Sequence, residues 1–340
     1  MKTLLIGAGA IGGTIAVLAK NAGYDVRLLC HSEGTREKIE TEGFKLHGAK
    51  GEFCEKFTCY SSFESLGEEK FDVVIIATKY QAMYDIAKNI LPYINENSLV
   101  VGMQNGILTS ELAEIVGENR AVGVMIGFGA TRNAANDVTM TSLGEMYIGM
   151  PGGKNPAILG ELKNMLASVL PTQISLNITR EQYSKLIINS CINASAAITG
   201  LVLGKMVDDR RARTLYLAIA REGMHVADAM GLDVPKYGKA LNYKLLMLAD
   251  NAVYNMACRF VVLLVSKLKY KDVKPSTLQS LEKGEKTEID IFNGYFVKKG
   301  AEVGVPTPVN AKIVEMIHEI EDSKRKISPD NLEEFRGMLF

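Results

Sequence analysis

The sequence has 340 residues, with 39 lysines and arginines against 39 aspartates and glutamates. At roughly 100–200 residues per domain, that length suits two domains, each able to bury its own core. The even charge gives no field to draw nucleic acid or an anionic membrane. The five cysteines (Cys30, Cys54, Cys59, Cys191 and Cys258) are odd in number, widely spaced and without a CxxC pair. They exclude a disulfide framework and read as buried, inert thiols of a cytoplasmic protein.

The first half alternates short apolar runs with helical patterns. Strands are expected at Thr3–Ile6, Val26–Leu29, Val73–Ala77, Leu99–Gly102 and Ala121–Met125, and helices at Ile11–Asn21, Thr35–Thr41, Gln81–Leu91 and Ser110–Val116. The run Val73-Val74-Ile75-Ile76 does not alternate, as in strands of a parallel sheet covered on both faces. Asp137–Thr141 and Glu145–Met150 read as a closing antiparallel hairpin. A helix over Ala157–Leu170 and a strand over Ile174–Leu176 follow. Beyond Arg180 strand signals fade. Helices are expected over Glu181–Thr199, Arg210–Met230, Lys236–Tyr254, Thr277–Lys283, Glu288–Glu302 and Pro308–Asp322. The fold class is therefore α/β. An N-terminal Rossmann domain with a doubly wound, mostly parallel sheet occupies 1–177, and an all-helical C-terminal domain occupies 178–340. Ile187–Gly204 is long enough for a membrane span, but Asn189, Ser190, Asn193, Ser195 and Thr199 are poor company for lipid, so no transmembrane segment is expected. The apolar run Phe260–Val265 leaves core packing and a homodimer interface both open, and Lys324-Arg325-Lys326 reads as a solvated helix end.

Gly7-Ala8-Gly9-Ala10-Ile11-Gly12 is a GxGxxG motif placed directly after a strand and opening a helix within a βαβ unit. Gly7 makes the tight turn, Gly9 admits a pyrophosphate close to backbone N–H groups, and Gly12 lets helix and strand pack together. Dinucleotide binding outweighs the alternative of a ligand-free turn. An NAD enzyme places a carboxylate at the end of the second strand to hold the ribose hydroxyls. Here Cys30, His31 and Ser32 stand there, and His31, Ser32 and Arg36 can donate to a 2′-phosphate. NADP is favoured over NAD, with the nearby Glu33 as the residue that could reverse the preference and a plain surface loop as the alternative for His31.

Reduction by hydride needs a proton donor for the nascent alkoxide and no metal. The four histidines (His31, His47, His225 and His318) lack ligand spacing, so no metal site is expected. The donor is then sought among lysines. Lys185, Asn189 and Asn193 lie at i, i+4 and i+8, one polar line along an otherwise apolar helix. Lining a polar cleft would satisfy them, and partial burial would lower the lysine towards useful acid range; the alternative is a thin solvent-facing stripe. Lys79 and Asn105 follow strands at the sheet's ligand-binding edge, or are ordinary loop residues. Glu288 begins a helix, where Thr287-Glu288-Ile289-Asp290 also fits a capping box, and Ser276 after Pro275 fits a helix cap.

Taken together, these residues resemble the ketopantoate reductases (2-dehydropantoate 2-reductases) over nearly the whole chain. The matching pieces are Gly7–Gly12, Thr78-Lys79-Tyr80-Gln81, Gln104-Asn105-Gly106, Lys185–Asn189 with Ile192-Asn193, Pro275–Gln279, Thr287–Asp290 with Asn293-Gly294, and Gly304–Asn310. The resemblance implies an NADPH-dependent reduction of the C2 ketone of 2-dehydropantoate to pantoate, for pantothenate and coenzyme A synthesis, in a site between a Rossmann and a helical domain. It implies Lys185 as general acid and Glu288 as the group holding the substrate hydroxyl. Asn189, Asn193 and Ser276 would orient the substrate, and Lys79 and Asn105 would line the cleft and place the nicotinamide. His31 stands where the family's arginine is expected, and Ala194 where it often has proline. Two other readings remain: a reductase of a different 2-oxo acid, and a non-catalytic NAD(P)-binding sensor. The intact Lys185, Asn189 and Glu288 set speaks against the sensor.

Overall fold

Strands without alternation end up covered on both sides. In the computed structural model Val73, Val74, Ile75 and Ile76 are all fully buried. The model describes residues 1–206, 208–237, 241–248, 251, 253–258, 260 and 275–339. It divides into two units, Met1–Gln182 and Tyr183–Phe340.

In the first unit, β1 (Lys2–Ile6) lies in parallel between β2 (Asp25–Leu29) and β6 (Phe71–Ile76). The parallel run continues through β7 (Ile94–Gly102) and β8 (Ala121–Met125). β11 (Met146–Gly149) pairs antiparallel with β8 and parallel with β12 (Thr172–Ile174), while β5 (Cys59–Tyr60) closes the other edge. The order is β12-β11-β8-β7-β6-β1-β2-β5. A second sheet joins β3 (Phe44–Gly48), β4 (Phe53–Glu55), β9 (Gly129–Ala134) and β10 (Asp137–Ser142) in the order β4-β3-β10-β9. The helices are α1 (Ala10–Asn21), α2 (Glu33–Glu42), α3 (Tyr80–Asn89), α4 (Thr109–Val116) and α5 (Ala157–Ala167). α1 is buried from Gly12 to Ala19 because both sheets press on it. A Cβ on Gly12 would meet Leu5 of β1, and one on Gly13 would meet the Phe44 ring of β3.

The hairpin expected from Asp137–Thr141 and Glu145–Met150 does not form. β10 pairs with β9 across a short turn and with β3, while β11 joins the large sheet. The chain changes sheets where Gly127 and Gly144 pass so closely that a Cβ on either would strike the other segment's backbone. β9, with its polar GATRNA sequence and mostly exposed residues, has no apolar alternation to announce it.

The second unit contains α6 (Ile178–Thr199), whose first turns belong to the first unit, then α7 (Leu203–Met206) and α8 (Arg210–Ala229). α9 (Ser276–Glu282), α10 (Asn293–Val303) and α11 (Pro308–Glu321) follow. The helix expected over Lys236–Tyr254 is not continuous among the described residues. Tyr237 bridges Leu241, and Tyr243–Met247 forms a 3-10 turn. The Phe260–Val265 run lies, from residue 261 on, outside the described residues. The Glu288–Glu302 helix is broken. A 3-10 turn over Ile289–Ile291 precedes α10, and Phe292 between them has non-helical backbone. The basic cluster is only partly solvated, since Arg325 binds Glu319 at 2.6 Å and Asn331 at 3.0 Å. Cys54 is exposed, whereas Cys30, Cys59, Cys191 and Cys258 are buried, and all five are free thiols. No described helix is long and apolar enough to cross a membrane.

Thr307 before Pro308 looks like the cap of α11, yet its side chain makes no capping bond. Glu222 of α8 does the work instead, accepting from Val309 N at 2.8 Å, Asn310 N at 2.9 Å and Asn310 Nδ2 at 2.7 Å. Burial raises the Glu222 carboxyl and these donors oppose it. Glu222→Ala strands those donors inside the unit and is expected to cost roughly 3 kcal/mol, read as a lower urea midpoint. An unchanged midpoint would show that water replaces the carboxylate without penalty.

Candidate active site

β1 delivers the glycine turn to the carboxyl edge of the large sheet. Gly7 has φ +101°, a left-handed conformation that glycine alone adopts freely, and a Cβ there would lie 2.9 Å from the Ala77 carbonyl carbon and Thr78 nitrogen. Gly12 packs closer still, since its Cβ would fall 2.1 Å from Gly7 O. Gly9 is the opposite case. It starts α1 without a side-chain cap, and a Cβ on it would meet nothing within 4 Å. The start of α1 is therefore open beside Gly9 and lacks a side-chain cap for its first-turn N–H groups, with Ala8 buried and Ala10 and Ile11 half-buried. Uncapped donors, a helix dipole and room for approach fit a pyrophosphate.

At the end of β2, Cys30 is buried and His31 and Ser32 are exposed. Ser32 caps α2, accepting from Thr35 N at 3.3 Å. Arg36 is engaged by two carboxylates of its own helix, with Nε donating to Glu33 at 2.8 Å and the terminal nitrogens binding Glu33 and Glu40. The bond from Arg36 holds Glu33 below the usual carboxylate range. Glu33 thus starts α2 and faces Arg36, rather than extending β2.

Lys79 is exposed as the extended residue before α3, and Asn105 is half-buried after β7, so both stand at the same sheet edge as the glycine turn. Gln104 ties their segments together. Its buried amide donates to Ile76 O at 2.9 Å and Thr78 O at 3.0 Å. Nothing local in the sequence signals this role of Gln104, because the carbonyls it reaches lie at the end of β6 and just beyond it.

On α6, Lys185 and Asn189 are half-buried and Asn193 is buried, among fully buried Ile187 and Cys191. Two tyrosines fix the helix just ahead of the lysine. Tyr183 Oη donates to Gly223 O at 2.7 Å, and Tyr243 Oη donates to Ser184 O at 2.8 Å. Neither was signalled by the sequence, since an aromatic in an apolar helix reads simply as core. Desolvation pushes the Lys185 ammonium down to about 8, against the opposing charge of Glu288. Glu288 is thus near enough for its charge to act on Lys185. Asn193 and Ser276 also meet, but in a structural link. Asn193 Oδ1 accepts from Ser276 Oγ at 3.1 Å and Thr277 N at 3.3 Å, and its Nδ2 donates to Asn189 O at 3.1 Å. Ser276 is the first residue of α9 rather than its cap, so the polar contact runs from α6 to α9. Glu288 precedes the 3-10 turn without capping it through its side chain. The capping box expected at Thr287 is replaced by a local bond from Ile289 N to Thr287 Oγ1 at 3.3 Å. Among the described residues no group of three or more His, Cys, Asp or Glu side chains is arranged to hold a metal.

A Rossmann unit carrying an open glycine cradle, followed by a helical unit carrying a lysine near neutral range, defines an NAD(P)-dependent oxidoreductase. The chain belongs to the ketopantoate reductase PanE/ApbA family: that family's model matches residues 3–153, and its C-terminal model matches 177–321. It is 27% identical to the 2-dehydropantoate 2-reductase of Aquifex aeolicus, covering 93% of this chain and 96% of that protein. It is 28% identical to the enzyme of that name from Pyrococcus abyssi, covering 91% and 94%. Among solved structures it resembles a PanE/ApbA family ketopantoate reductase from Ralstonia eutropha (TM-score 0.78, 23% identity, 96% and 100% covered). It also resembles a ternary structure of D-mandelate dehydrogenase with NADH and anilino(oxo)acetate (TM-score 0.79, 22% identity, 95% and 99% covered). The latter shares the fold at low identity.

Proposed function

We propose that this protein is an NADPH-dependent 2-dehydropantoate 2-reductase of a cytoplasmic pathway to pantothenate and coenzyme A. The observation that carries the reading is the place of Lys185 on α6, among fully buried Ile187 and Cys191, where burial lowers its ammonium to about 8 and the Glu288 charge opposes the fall. A nicotinamide held by the Gly7–Gly12 turn would supply the hydride for the C2 ketone. Lys185 holds a proton at Nζ for the C2 oxygen as it gains charge. Glu288 accepts a hydrogen bond from the substrate hydroxyl and keeps Lys185 protonated up to a higher pH than burial alone allows. Asn189 orients the substrate, and Asn193 with Ser276 anchors α9 behind it. The cradle at Gly7–Gly12 holds the pyrophosphate, and Lys79 and Asn105 place the nicotinamide. Following NADPH absorbance with 2-dehydropantoate, pyruvate and 2-oxoisovalerate tests this. Oxidation with 2-dehydropantoate alone supports the assignment. Turnover only on another 2-oxo acid replaces the substrate, and cofactor binding without any turnover leaves the sensor.

The NADP preference rests on the absence of a carboxylate at the end of β2 and on Arg36 nearby. A 2′-phosphate must compete with Glu33 and Glu40 for that guanidinium. Arg36→Ala is therefore expected to weaken NADPH about tenfold while leaving NADH unchanged, and Glu33→Gln to tighten NADPH. Fluorescence titration with both cofactors measures this, and an equal response to the two would favour NAD.

A further inference from the structure

α11 ends on Glu321, a carboxylate at the helix end where the dipole disfavours it. Its side chain is also only 3% exposed. A buried acid at the wrong end of a helix needs compensation, and among the described residues it comes from the segment that carries Glu288 and from its own helix. Thr287 N donates to Glu321 Oε1 at 2.8 Å, and Lys286 Nζ lies 3.2 Å from Oε2. His318, one turn earlier on α11, sets Nδ1 3.1 Å from Glu321 Oε2 and Nε2 3.0 Å from Asp290 Oδ1. Each ring nitrogen faces a carboxylate, which only the doubly protonated imidazolium can satisfy. α11 therefore grips the chain on both sides of Glu288, at the backbone of the preceding residue and at the side chain two residues beyond. The second grip falls within a single short 3-10 turn, Ile289–Ile291, whose Ile289 and Ile291 are buried. That turn is followed by Phe292, whose backbone is non-helical, so α10 starts as a separate element beyond it.

We propose that Glu321 and His318 are positioning residues for Glu288, holding the 287–290 turn so that the Glu288 carboxylate stays beside Lys185. The inference rests on the reading of Lys185 and Glu288 as the working pair, so its test includes a readout that needs no substrate. Lysine labelled with carbon-13 at Cε, with Lys185 assigned by Lys185→Arg, reports the titration of that side chain in the full-length protein. Glu288→Gln serves as the reference, because it removes the charge that raises Lys185 and must move the midpoint to lower pH. Glu321→Ala and His318→Ala are expected to move it the same way. In the same variants kcat/KM for whichever 2-oxo acid the wild type reduces falls on the order of tenfold, while the NADPH dissociation constant is unchanged. His318 is partly exposed, so its variant carries the test should Glu321→Ala fail to fold. A Lys185 midpoint and kcat/KM both at wild-type values in a folded variant would overturn the proposal, even with an active wild type. A shifted midpoint in a protein that reduces no 2-oxo acid would uphold the positioning and sink the reductase reading.

Discussion

Lys185→Ala is expected to lower kcat for 2-oxo acid reduction by on the order of 10²–10⁴-fold, with NADPH affinity unchanged. The size follows from chemistry: without a donor, the alkoxide must form in full before water can protonate it. The sequence position alone would not set the magnitude, but the environment of the lysine does. Burial brings the ammonium down to about 8, with Glu288 opposing that fall. With Lys185 as the proposed general acid, the protonated form is the active one, so the rate is expected to fall as pH rises through about 8, and Glu288→Gln to move that limb to lower pH. Stability has the opposite sign. The folded value lies below that of a free lysine, so folding prefers the neutral form, and stability rises with pH from about 8 towards the unfolded value. Lys185→Met removes the buried ammonium altogether and should leave the fold at least as stable near neutral pH while activity is lost. Steady-state rates and melting curves across pH measure both. Wild-type kcat in Lys185→Ala would remove the lysine from the chemistry.

The elements legible in the sequence were those whose signal is local. A non-alternating apolar run such as Val73–Ile76 has one stable home, a central strand covered on both faces, and it is found there. The glycine spacing likewise fixes a turn whose packing requires it. What the sequence hid is held by distant partners. β9 is polar and exposed, and it is a strand only because β10 pairs with it. α11 borrows its cap from Glu222 across 87 positions of chain. In the candidate site, the line of Lys185, Asn189 and Asn193 follows from helical spacing. The spacing does not reveal that Asn193 spends its oxygen on α9, or that bonds at Tyr183 and Ser184 hold the helix just ahead of Lys185. Arg36 shows the same limit at the cofactor end: the residue type suggests a phosphate donor, and the structure adds two carboxylates competing for it.

Gly12→Val should weaken cofactor binding by about a hundredfold and disturb the fold, whereas Gly9→Ala should weaken binding without touching the fold. At Gly12 the first added carbon falls 2.1 Å from the Gly7 carbonyl oxygen, with Ala77 and Leu5 close behind. A backbone oxygen in a tight turn cannot rotate aside as a side-chain tip would, so the β1–α1 turn must open. Overpacking of this kind costs up to about 3 kcal/mol, near a hundredfold in affinity if the whole cost falls on the bound state. That variant alone cannot separate a ruined fold from a ruined cradle. Gly9 can, because its backbone lies in an ordinary extended conformation and its Cβ would meet no protein atom within 4 Å. Alanine there leaves the melting temperature unchanged, and any loss of NADPH affinity, expected on the order of tenfold, comes from the ligand's own approach. Unchanged affinity in Gly9→Ala would mean that nothing comes close to the turn. The glycines would then serve only the packing of α1 between the two sheets.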